Sequence, residues 1–140
     1  MIQNKLQTYI DLLNNIEDSQ DKFLWIMDFG KNSRPMDDSL KVRDFEVPGC
    51  QSQTWLVPHF IEDKIYFSAD SAALISKGMV CLIADVYSGS SAQDISEFDQ
   101  KEFDKMSLST LLTPGRNNGV HSMLKKVRFY AKKEDNKVAV

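Results

Sequence analysis

The spacing of apolar residues changes period twice along this chain, and the order of those changes restricts the fold. Residues 2–16 place Ile2, Leu6, Tyr9, Ile10, Leu13 and Ile16 on one helical face. A second helix is expected next, capped by Ser19, carrying Phe23, Leu24, Ile26, Met27 and Phe29, and stopped by Gly30. Residues 31–41 are polar, contain Pro35 and Asp37-Asp38, and read as a loop. The middle turns strand-like. Val42–Val47 has the makings of a short strand, and Thr54–Ile61 and Ile65–Ser68 are rich in β-branched and aromatic residues, with Glu62-Asp63-Lys64 as the turn between them. Pro58 cannot donate to a ladder, so its strand lies at an edge or carries a bulge.

Helical spacing then returns. From Ser71 to Val86 the chain is apolar nearly all round, which predicts a buried central helix ended by Gly89. Ser91-Ala92-Gln93-Asp94 resembles a capping box for a short helix. Leu108–Leu112 forms a further apolar turn closed by Thr113-Pro114-Gly115. A last helix is expected from near Asn118, with Val120, Met123, Leu124, Val127 and Tyr130 inside and a frayed charged tail from Lys132 to Val140. Strands grouped apart from helices predict an α+β fold: a compact single domain over 1–140, with an antiparallel sheet of about three strands packed against several helices. A chain of 140 residues is long enough to bury a core without staples.

Composition narrows the partners. The net charge of −3 leaves no basic field, so nucleic acid is not expected. No run approaches the ~18 apolar residues of a membrane helix. The N-terminal residues lack a secretory pattern, and a reducing, cytoplasmic setting is expected. Two cysteines cannot make a disulfide framework, and with isolated His59 and His121 they do not make a zinc site.

The chemistry is concentrated in Val47-Pro48-Gly49-Cys50-Gln51-Ser52-Gln53-Thr54-Trp55. A cysteine between a Pro-Gly turn and a polar triplet reads as a loop thiol, and thiolate is a strong nucleophile near neutral pH. Gly49 permits a tight turn and leaves room for an approaching partner. Gln51, Ser52 and Gln53 are neutral donors for a sulfur anion. Cys81, within Met79-Val80-Cys81-Leu82, is expected to be core. Trp55 is assigned to the sheet core, Asp70 to the cap of the central helix, and the basic run from Lys125 to Lys133 to a solvated face that would also suit an acidic partner. A thiol hydrolase would need a histidine base that the sequence does not place.

Gly49-Cys50-Gln51-Ser52-Gln53-Thr54-Trp55-Leu56 resembles the GCQSQVW signature of the SufE-type sulfur acceptors, the cysteine desulfuration proteins. Lys22–Gly30 is similar to the family's aromatic helix ending in Gly, Asp70–Gly78 to its DSDAAIVKG segment, and Leu111–Val120 to its LTPSRxNGL segment. Order and rough spacing agree from about residue 20 to residue 130. Ala72 stands where the family often has Asp, Gly115 where it often has Ser, and Val120 where it has Leu.

The resemblance implies a sulfur acceptor and activator of a pyridoxal-phosphate-dependent, SufS-like cysteine desulfurase. Such a protein takes sulfane sulfur as a persulfide on Cys50 and passes it to an iron–sulfur cluster scaffold, holds no cofactor of its own, and is not a stand-alone enzyme. It also implies the α+β fold shared with U-type scaffolds, and it brings Arg116 near the Cys loop, either to support an anion or to brace the turn. A homodimer is left open. The alternative is a U-type cluster scaffold or metal-binding assembly protein, for which one loop cysteine and one core cysteine are a poor ligand set. A persulfide is easily oxidised, so the thiol is expected to be tucked under apolar cover until a partner opens the loop.

Overall fold

The structure is a computed structural model describing residues 1–138, with side chains to residue 136. Helices α1 (Ile2–Asn14) and α2 (Ser19–Lys31) lead through two short 3-10 turns into a hairpin of β1 (Thr54–Ile61) and β2 (Lys64–Ser71). Helices α3 (Leu74–Tyr87) and α4 (Ala92–Glu97), a 3-10 segment at Gln100–Met106 and the long α5 (Pro114–Val138) complete it. The fold is α+β, with a two-stranded antiparallel sheet packed on helices.

Helix α3 is the core of the molecule. Gly78 to Ala84 are buried without a break, so every face of the helix is covered. Helix α2, the hairpin, α5 and α1 all pack on it. Helices α2 and α3 cross where Gly30 meets Gly78. A Cβ on Gly78 would lie 2.1 Å from the Ile26 carbonyl oxygen, so the backbones touch. Gly30 is therefore part of this crossing and not the expected stop. The helix runs one residue further and is capped by Asn32. Its N-cap is Asp18, whose carboxylate accepts from the Gln20 N–H at 2.7 Å, in place of the expected Ser19.

The expected third strand is absent. Val42–Val47 instead makes a 3-10 turn at Arg43–Phe45 and a single bridge from Glu46 to Trp55. The Val47 N–H donates to the Thr54 carbonyl at 2.8 Å, but the next residue, Pro48, has no N–H to extend the ladder. Pro58 costs nothing in this sheet. Thr54 and Leu56, in phase with it, turn their carbonyls outward to the Val47 N–H and the Tyr130 hydroxyl, so Pro58 lies on the outer edge of β1. The tight turn puts Glu62 at φ +56°.

Three further boundaries differ from expectation. Strand β2 continues to Ser71, which delays α3 to Leu74 with Ala73 as its N-cap. Asp70 is thus not the cap. Its carboxylate accepts from the Ser71 N–H and pairs with Lys41 at 3.1 Å and Lys77 at 3.5 Å. Helix α5 starts at Pro114, four residues early, because Thr113 caps the Arg116 N–H and Pro suits the first helical position. The expected frayed tail is helical to Val138, and residues 139–140 lie outside the described residues. Gly89, at φ +84°, ends α3, and the Ser91 side chain caps α4 through the Asp94 N–H, as the sequence indicated.

Candidate functional site

Cys50 sits half-buried where the loop after Pro48 meets the first two turns of α5. Gly49 adopts φ +83°, a left-handed conformation that other residues strain to reach, and this turns Cys50 inward. The tip of the loop rests on glycines one helical turn apart. A Cβ on Gly115 would meet the Gln51 side chain at 2.2 Å, and one on Gly119 would lie 3.4 Å from Cys50 Sγ. The Cys50 thiol donates weakly to the Gly119 carbonyl at 3.7 Å.

The stem of the loop is held more firmly. The buried Thr54 hydroxyl bonds the Ser52 carbonyl at 3.0 Å and pairs with the Ser71 hydroxyl at 3.0 Å. The Ser71 hydroxyl and the Ala72 N–H both donate to the Gln53 carbonyl, at 3.0 and 2.9 Å.

Beside Sγ lies a cavity of about 10 Å³, walled by Ile75 and Met79 of α3, Leu112, and Val120 and Met123 of α5. That is about the space of one water molecule. Arg116 lines it, and its guanidinium has no ion-pair or hydrogen-bond partner among the described residues. Burial pushes the Cys50 thiol above its ordinary pKa, and the Thr54 hydroxyl opposes this by pulling it back down. In this seat the sulfur is a neutral, covered thiol.

The sequence-derived residues divide in two. Gly49, Cys50, Gln51, Ser52 and Arg116 come together around the cavity or its seat. Gln53 does not. It is exposed, and its amide donates to the Glu46 carboxylate at 3.3 Å. Trp55 is half-buried on the outer face of the hairpin with the Lys41 ammonium over its ring, rather than sheet core. Cys81 is core, its thiol donating to the Ala69 carbonyl at 3.7 Å, and burial raises its pKa. His59 is half-buried and paired with Ser68, and His121 is on the surface. No three His, Cys, Asp or Glu side chains gather into a metal-binding group among the described residues.

Sequence reasoning missed the Thr54–Ser71 hydroxyl pair and the role of Gly115 and Gly119. Two glycines four apart at a helix start were the available signal, masked by a Thr-Pro-Gly that also reads as a turn.

Fold and seat together describe a small α+β domain with one half-buried loop thiol. The family description SufE, "Fe-S metabolism associated domain", matches residues 7–131, and the chain belongs to that family, whose work is sulfur transfer in iron–sulfur metabolism. It is 33% identical over 122 residues to SufE-like protein 1, chloroplastic/mitochondrial, of Arabidopsis thaliana, a match covering 86% of this chain and 33% of that protein. It is 33% identical over 132 residues to an uncharacterized SufE-like protein of Rhizobium etli, covering 91% and 89%. A similar protein of Rhizobium meliloti is 30% identical over 131 residues, covering 90% and 94%. The chain thus spans a third of the Arabidopsis protein and nearly all of the rhizobial ones. The solution structure of a hypothetical protein from Thermus thermophilus shares the fold at TM-score 0.76 and 16% identity, covering 92% of this chain and 94% of that one.

Proposed function

We propose that this protein accepts sulfane sulfur on Cys50 from the persulfide of a pyridoxal-phosphate-dependent cysteine desulfurase and passes it on for iron–sulfur cluster assembly. The observation that carries the proposal is the seat of Cys50: a free thiol on a glycine-supported loop, facing a space of one small atom group and a guanidinium that is unpaired among the described residues.

The chemistry is a thiol exchange. The Cys50 thiolate attacks the terminal sulfur of the donor persulfide. A new S–S bond forms to Cys50 Sγ, the donor's S–S bond breaks, and its electron pair leaves on the donor cysteine as thiolate. The hand-off to the acceptor is the same exchange with Cys50 as leaving group. No cofactor of this chain enters either step, so the protein acts as a sulfur carrier beside its partners.

Burial decides when this happens. In its seat Cys50 has its pKa raised by desolvation, which lowers its thiolate fraction and slows its reaction. When a partner draws the loop outward the desolvation is relieved and the thiolate forms where the donor sulfur waits. Returned to its seat, the persulfide is shielded from oxidants, with Arg116 available to its negative charge. A reducing, cytoplasmic setting belongs to the same proposal, since Cys50 works only as a free thiol.

The test is peptide mass spectrometry after mixing the protein with a pyridoxal-phosphate cysteine desulfurase and cysteine. One added sulfur, removable by a reductant, is expected on the Cys50 peptide of the wild type and of Cys81→Ser, and on neither peptide of Cys50→Ser. Sulfur on Cys81, or a bare Cys50 beside a persulfide-charged desulfurase, overturns the proposal.

A further inference from the structure

A second concavity, far larger than the one beside Cys50, lies between the helices and the hairpin. It is an open cleft of about 1250 Å³, larger than the ~300–1,000 Å³ typical of small-molecule pockets. One wall is an aromatic cluster of α1 and α2. Trp25 stacks on Phe29 with centroids 5.4 Å apart, and Tyr9 meets Phe29 edge-on at 5.5 Å. The facing wall is the hairpin, where Ile61 is 57% and Tyr66 39% exposed, a costly display of apolar surface for a free domain.

Acidic residues outnumber basic ones around this cleft. Asp28, Asp37 and Asp85 line it with Arg34, and the Lys5 ammonium donates to the carbonyls of the lining residues Asp85 and Ser88, at 3.1 and 2.8 Å. The Asp85 carboxylate accepts from the Tyr9 hydroxyl, and the Asp37 carboxylate from the Ser39 N–H at 3.0 Å. The Asp28 carboxylate, on the same helix as Trp25 and Phe29, has no partner among the described residues. His59 also lines the cleft, with its Nε2 in a hydrogen bond to the Ser68 hydroxyl at 2.8 Å. Aromatic faces beside a free carboxylate favour a cation that carries apolar neighbours.

The cleft is also separate from the sulfur site. The Cys50 cavity uses Ile75 and Met79 of α3, and the cleft uses Cys81, Ala84 and Asp85. Ile75 and Ala84 are nine residues apart on α3, about two and a half turns at ~3.6 residues per turn, which puts them on opposite faces.

We propose that this cleft docks a basic, apolar-flanked segment of a protein partner. An Arg or Lys of the segment lies against the Trp25–Phe29 wall within reach of Asp28, and its apolar neighbours cover Ile61 and Tyr66. Docking here leaves Cys50 free on the other side of α3. One partner is held at the cleft while the sulfur site engages another.

The experiment is an amide and indole NMR titration of the nitrogen-labelled protein with a short peptide alternating Arg and Leu. An alternating Glu and Leu peptide and free arginine amide are the controls. Saturable shifts are expected at the Trp25 indole and at Ile61 and Tyr66, and not around Cys50. Binding is expected to weaken about tenfold in Asp28→Lys, whose melting temperature stays that of the wild type because residue 28 is exposed. The rate of Cys50 alkylation is expected to be the same with and without the peptide. Shifts scattered over the surface, equal binding of the acidic peptide, no saturation, or an unaffected Asp28→Lys each overturn the proposal. Arginine amide binding as tightly as the peptide overturns the assignment to a protein segment.

Discussion

Replacing Gly78 by Ala isolates the contact on which the core is built. In a helix the change alone stabilises by up to ~1 kcal/mol, since Ala has the higher propensity. At this crossing the new Cβ would stand 2.1 Å from the Ile26 carbonyl oxygen, where contacts under 3.0 Å are essentially never seen. The neighbour is helix backbone and cannot swing aside, so α2 and α3 must separate by about an ångström. Overpacking of this kind costs at least the ~3 kcal/mol at the top of its ordinary range. The net expectation is a loss of about 2 kcal/mol or more, which lowers the melting temperature by roughly 6 °C or more in a domain of this size. Gly119→Ala is the matched control. It has the same propensity gain, but its Cβ meets only Cys50, with Sγ nearest at an ordinary 3.4 Å. It should melt at or a few degrees above the wild type. Thermal unfolding followed by circular dichroism distinguishes the two. A Gly78→Ala protein as stable as the wild type, or a Gly119→Ala protein as damaged as Gly78→Ala, refutes the argument that backbone contact and not glycine content sets the cost.

Two other outcomes are expected. Burial alone would raise the Asp70 carboxyl, but Lys41, the Ser71 N–H and Lys77 together hold it below its ordinary value of 3.8, so its stabilising contribution is present at neutral pH and is lost as the pH falls through that depressed value. Asp70→Asn should therefore melt roughly 3–6 °C lower at pH 7 and approach the wild type in acid, and a constant difference across pH would contradict this. Thr54→Val keeps the shape but removes the hydroxyl that pulls the Cys50 thiol down, so the pH profile of iodoacetamide alkylation should move upward and the rate at neutral pH should fall. An unmoved profile would show that Thr54 does not act on the sulfur.

Features set by local chemistry were legible in the sequence, and features set by distant packing were not. The Pro-Gly before Cys50 announced a loop thiol, and the unbroken apolar run around Cys81 announced the central helix. Gly30 and Gly115 carried the opposite lesson. Each looked like punctuation, a stop or a turn, because a glycine's local effect is the one a sequence displays. Each in fact admits a segment more than 40 residues away in the chain, Gly78 in one case and Gln51 in the other. The missing third strand is a similar case. Val42–Val47 has strand composition, but Pro48 ends its pairing after one bridge. The helix boundaries moved because capping was decided by Asp18 and Thr113 rather than by the first apolar residue of each pattern.

The proposed carrier role makes opposed demands on Cys50: cover while it holds sulfur, access while it exchanges. The difference between the two ends of the loop meets both. The stem is tied by four conventional hydrogen bonds: Thr54 hydroxyl to Ser52, Ser71 hydroxyl and Ala72 N–H to Gln53, and Val47 N–H to Thr54. The tip is held by one weak thiol hydrogen bond at 3.7 Å and by contact with two bare glycines. Drawing Cys50 outward breaks nothing in the sheet and forfeits a thiol donor, the contact of Gln51 with Gly115 and a partly buried sulfur. Such an opening costs a small fraction of the global stability, so a partner surface can drive it by contact alone. Gly49, already left-handed, supplies the rotation. The firm stem returns the loop to the same seat after each exchange, and in that seat the sulfur is again covered.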